Sequence, residues 1–86
     1  MLPGQMQKQV ARQAKTRRKR LGYTQAQLAE QSGVSLGSLR RFEQTGDIAF
    51  SSLVAISYVL GCQQELAGLF SAPAYRSIQE VIDEAR

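Results

Sequence analysis

The sequence predicts an all-α protein: a compact five-helix bundle followed by a short C-terminal helix. Three observations carry that expectation. The stretch Thr24 to Gly46, TQAQLAEQSGVSLGSLRRFEQTG, holds two short helical patterns joined by a glycine turn, the arrangement of a helix-turn-helix. Apolar residues on either side of it recur at three- and four-residue spacing, as one face of a helix requires. At 86 residues the chain has room for one modest core and a single domain, because small domains hide a smaller share of their surface.

Residues 1–5 read as a flexible leader, with Pro3-Gly4 discouraging helix. A first helix is expected from Gln5 or Met6 to about Leu21, closed by Gly22. Val10, Ala14 and Leu21 are expected inward, while Arg12, Lys15, Arg17, Arg18, Lys19 and Arg20 make a dense cationic end. Thr24 and Gln27 form a capping-box pair that opens the second helix by satisfying its first N–H groups. Gly33 stands where a helix ending must turn with positive φ, which glycine does at no Cβ cost. Val34 is then a buried plug in the turn, Ser35 an oxygen-bearing N-cap, and Leu36 to Gln44 a third helix with Leu39 and Phe42 inward. Phe50 to Leu60 gives a fourth helix ended by Gly61, and Gln63 to Phe70 a short fifth. The expected core comprises Leu28, Val34, Leu39, Phe42, Phe50, Leu53, Ile56, Leu60, Leu66 and Leu69. Ser71-Ala72-Pro73-Ala74 reads as a linker, since Pro73 blocks helix continuation. Ser77 and Glu80 then form a second capping box on an acidic helix striped by Ile78, Val81 and Ile82.

Charge is divided unevenly. Residues 1–46 carry nine Lys/Arg against Glu30 and Glu43, a net +7, whereas residues 47–86 carry a net −3. Neutralising phosphates releases counterions, so a one-sided cationic field over the motif points to nucleic acid. The chain has no histidine and a single cysteine, Cys62, expected to be a buried thiol. Zinc chemistry and histidine-based catalysis lose their usual residues, so no catalytic site, metal or cofactor is expected. No signal peptide or membrane-spanning stretch is apparent, and the cytoplasm is the expected location.

The second and third helices offer a further comparison. Thr24-Gln25, Leu28-Ala29, Gly33-Val34-Ser35, Leu39 and Phe42-Glu43 resemble the signature of the Xre/Cro family of phage-repressor-like helix-turn-helix regulators. The wider pattern runs from about Val10 to Phe70. The resemblance implies a lambda-repressor-like bundle over residues 6–70, with 71–86 a linker and amphipathic helix, and double-stranded DNA as the partner. Similar domains carry a polar pair at the start of the recognition helix, but here Leu36 and Gly37 stand there. Base readout therefore falls to Ser38 and Arg41, with Leu36 against a thymine methyl. Gln25, Arg17, Arg18, Arg20, Arg40 and Ser51 are the expected backbone contacts. Related repressors set two motifs about 34 Å apart on a pseudo-palindromic operator, which implies a homodimer.

Small size and the tail LFSAPAYRSIQEVIDEAR are similar to HipB-like antitoxins, which repress their own operon and bind a HipA-like kinase toxin. The alternative is a protein-interaction module or co-activator that uses the same fold as a scaffold.

Overall fold

A computed structural model describes residues 1–74, 82 and 83. Five helices occupy them: α1 (Pro3–Arg20), α2 (Gln25–Ser32), α3 (Leu36–Thr45), α4 (Phe50–Leu60) and α5 (Gln63–Ala67). No strand occurs among the described residues. The expected C-terminal helix, with Ser77, Ile78, Glu80 and Val81, lies outside the described residues apart from Ile82 and Asp83.

The local signals explain most boundaries. Thr24 Oγ1 accepts the Gln27 N–H and the Gln27 side chain accepts the Thr24 N–H, so the capping box that opens α2 is formed in full. Gly33 ends α2 at φ 76°, and Ser35 caps α3 by accepting from the Ser38 N–H. Gly46 ends α3 at φ 82°, and a Cβ there would stand 2.7 Å from the Gln7 backbone carbon. That close approach lets the first half of α1 lie directly against the end of α3. Only a residue without a side chain fits the contact.

Helix α1 packs mainly against α3, α2 against both α3 and α4, and α5 against α4. The core where they meet is Ala11, Leu28, Ala29, Val34, Leu39, Phe42, Ile56 and Leu60. Phe42, Leu28, Leu39 and Ile56 are the largest fully buried side chains. Complete burial of each such side chain contributes roughly 1.5–3 kcal/mol. Leu39 and Phe42 serve α3 in particular: they seat one face of that helix in the core and leave the other face to solvent.

Several expectations are corrected. Helix α1 starts at Pro3, not at Gln5 or Met6, because a proline in the first turn gives up only an N–H that a helix start leaves unbonded anyway. The Leu2 N–H is taken by Gln5 Oε1 at 2.8 Å, which ties down residues expected to be a loose leader. On α1 the core residue is Ala11, while Val10 and Leu21 are exposed. Phe50 is 65% exposed and Leu69 54% exposed, so neither joins the core assigned to them. Helix α5 stops at Ala67, and Phe70 lies beyond it with φ 62° and its ring in solvent. Cys62 is half-buried and free, not fully enclosed.

Candidate nucleic-acid interface

The spacing that buries Leu39 and Phe42 puts Gly37, Ser38, Arg40, Arg41 and Gln44 on the exposed side of α3. Ser38 sits at the start of that side, its Oγ accepting from the Ser35 hydroxyl at 2.8 Å. Leu36 is half-buried and packs against the core, so only part of it is left for an apolar contact. Arg41 lies one turn further on, its side chain 70% exposed, with Nη2 3.0 Å from Asp47 Oδ2. Arg40 is also exposed.

Behind α3 a buried polar network holds three helices in register. Arg18 Nε donates to Glu43 Oε2 at 2.8 Å, Nη2 donates to Oε1 at 3.1 Å, and Nη1 donates to the Tyr23 carbonyl at 2.8 Å. Gln25 Nε2 donates to the same Glu43 Oε1 at 3.0 Å. The two-point arginine–carboxylate pairing fixes orientation as well as distance. Three helices therefore meet at one carboxylate, α1 through Arg18, α2 through Gln25 and α3 through Glu43 itself, while Arg18 also ties down the turn after α1 through the Tyr23 carbonyl.

This network corrects the placement of Arg18. Expected among the cations that contact phosphate, it is 6% exposed, and its guanidinium is occupied by Glu43 and Tyr23. Releasing it to reach DNA would leave a buried carboxylate without its counter-charge, which is strongly unfavourable. The other expected cations lie at the surface. Arg20 is exposed at the end of α1, and Arg17 is half-exposed with Nη2 3.3 Å from Glu65 Oε1 on α5. Gln25 is half-buried, and the bond to Glu43 uses one of its two amide hydrogens, leaving the other to donate elsewhere.

Helix α4 begins at Phe50 after Ala49, which has no side chain that can cap it. Its first-turn N–H groups thus lack a side-chain acceptor, the condition under which a helix start holds a phosphate oxygen. Ser51 is exposed in that turn. Ser38, Arg41, Asp47, Ile48, Ala49 and Ser52 line an open notch of about 290 Å³ between α3 and the start of α4. Helix α3, the loop after it and the start of α4 thus form one continuous surface. Neither Asp47 nor Glu43 was among the expected DNA contacts, and each carboxylate is paired with an arginine.

A helix-turn-helix family model, HTH_3, matches residues 15–66, from the second half of α1 to α5. The chain belongs to this Xre/lambda-repressor-like helix-turn-helix family. The family's domain is a DNA-binding one that serves transcription regulation. No curated protein and no solved structure matches the chain. Among the described residues no helix is long and apolar enough to cross a membrane.

Proposed function

We propose that this helix-turn-helix protein is a sequence-specific transcriptional repressor that binds a pseudo-palindromic operator as a homodimer in the cytoplasm. The observation that carries the reading is the division of α3. Leu39, Phe42 and Glu43 are seated in the fold, while Ser38, Arg40, Arg41 and Gln44 are presented outward on a helix that can enter a major groove. Arg41 reads a guanine through paired bonds to O6 and N7, Ser38 contacts an adjacent base edge, and the open flank of Leu36 meets a thymine methyl. Gln25, Arg17, Arg20, Arg40 and the Ser51 turn hold the backbone on either side. Arg17 exchanges Glu65 for a phosphate, which is easy because the pair is exposed.

The test is fluorescence-anisotropy binding to the protein's own upstream promoter and to a scrambled duplex of equal length, across several salt concentrations. Promoter binding about a thousandfold tighter is expected of a specific autorepressor. Equal, steeply salt-dependent binding to both duplexes would reduce the interaction to charge alone.

Within this reading we infer an antitoxin role, in which the protein represses its own operon and binds a HipA-like kinase toxin. The small domain and the tail from Leu69 support it, and co-purification with the product of an adjacent kinase-like reading frame tests it. The second class of function, a protein-interaction module, is favoured by exposed Leu2, just before α1, and exposed Met6 and Val10 on it, at four-residue spacing. An apolar stripe of that kind suits a partner protein better than DNA.

A further inference from the structure

The geometry points to Asp47 as a specificity-determining residue of the DNA surface, acting by positioning Arg41. This inference rests on the proposal that α3 reads DNA. An acidic side chain in the middle of a phosphate-binding face is unfavourable unless it has a task there. Asp47 lines the notch between α3 and α4 alongside Arg41 and Ser38, and is 59% exposed.

Its place is held by local bonds. The Thr45 hydroxyl donates to the Arg41 carbonyl at 2.7 Å, and the Asp47 N–H donates to Thr45 Oγ1 at 3.2 Å. Gly46 between them turns with φ 82° and is wedged against Gln7. The carboxylate therefore hangs from a fixed corner one turn and a half beyond Arg41, and receives one Nη2 hydrogen of that guanidinium at 3.0 Å.

The donor count decides what this pairing does. A guanidinium has five N–H donors in a planar fork, and Asp47 uses one. The second Nη2 hydrogen and those of Nη1 are left for guanine O6 and N7. Arg41 can thus read guanine without leaving Asp47. A phosphate reached through the same hydrogens would bring its negative charge close to the Asp47 carboxylate, a repulsion that guanine O6 and N7, which carry no net charge, do not meet. Asp47 accordingly favours the base-reading pose of Arg41 and disfavours its sequence-independent use. It is a filter against random DNA more than a source of affinity.

The experiment compares wild type, Asp47→Asn, Arg41→Ala and the double variant on two duplexes: one selected by the wild-type protein from a random pool, and a scrambled duplex. Asp47→Asn should bind scrambled DNA more tightly, with a salt slope steeper by about one phosphate contact. Its ratio of selected to scrambled affinity should fall about tenfold. In the Arg41→Ala background the same substitution should leave that ratio unchanged. A ratio that Asp47→Asn does not move while wild type discriminates would overturn the inference alone, since a general loss of negative charge raises both affinities equally. Failure of wild type to discriminate at all would overturn the DNA reading and this inference together. Asp47 lies on the surface, and thermal unfolding of each variant confirms that the fold is retained.

Discussion

Two arginine–carboxylate pairs, Arg18–Glu43 and Arg41–Asp47, lie on opposite sides of α3 and have nearly the same bond lengths, 2.8 Å and 3.0 Å. Their surroundings differ entirely. The first pair has side chains 7% and 3% exposed and shares Glu43 with Gln25, whereas the second is mostly in water. Burial raises the penalty for separating opposite charges, so the inner pair is fixed and its members are unavailable to any ligand. Exposure makes the outer pair cheap to rearrange, so its members can exchange partners. Identical chemistry therefore gives a structural clamp on one face of α3 and a pair free to change partners on the other.

The comparison is broken most severely from the inside. Arg18→Ala strands the Glu43 carboxylate and frees the Tyr23 carbonyl, and should lower folding stability by about 3–5 kcal/mol. Urea unfolding checks this. Unchanged stability with weaker binding to every duplex would instead return Arg18 to the phosphate surface. Replacing the pair together, Arg18→Met with Glu43→Leu, should be milder than Arg18→Ala alone, because two packed apolar side chains leave no bare charge. A double-mutant cycle would show the coupling as a stability loss smaller than the sum of the single ones.

How far this division is legible in sequence depends on which signal each residue carries. Thr24, Gly33, Ser35 and Leu39 answer to local rules of capping, turning and spacing, and the structure places them as those rules require. Arg18 breaks the local rule that a run of cations faces solvent. Yet it follows Ala11 by seven positions and Ala14 by four, which puts it on the inward face, and Glu43 follows Leu39 by four on the inward face of α3. The signal lay in the periodicity of each helix, but the partnership spans 25 positions and only the packing of α1 on α3 brings it together. Phe50 erred in the opposite direction: its apolar character suggested the core, but the first turn of α4 lies at the bundle's edge. Of the expected interface, Ser38, Arg40 and Arg41 fall on one exposed face, as their spacing from Leu39 and Phe42 dictates.

On the outer face the expected effects move from folding to binding. Arg41→Ala should cost about 1–3 kcal/mol on the cognate site and blur one base position. Folding stability should change by no more than about 0.5 kcal/mol, as for other surface substitutions. Anisotropy titrations against single-base variants of the operator separate these outcomes. An equal loss on every sequence would remove Arg41 from base readout and leave it a phosphate contact.

The smallest expected effect is the most discriminating. If exposure alone separates the two pairs, Asp47→Ala should leave folding stability within about 0.5 kcal/mol of wild type, despite removing a bond nearly as short as those of Arg18. Water solvates the freed guanidinium nearly as well as the carboxylate did, and no buried charge is left behind. The Thr45 bond to the Asp47 N–H involves the backbone and survives the substitution, so the corner after α3 keeps its shape. Thermal unfolding at low and high salt measures the residue of the interaction, which should shrink further as ions screen it. A loss of several kcal/mol would mean that the outer pair, too, is part of the scaffold, and Arg41 would then be no freer to engage DNA than Arg18 is.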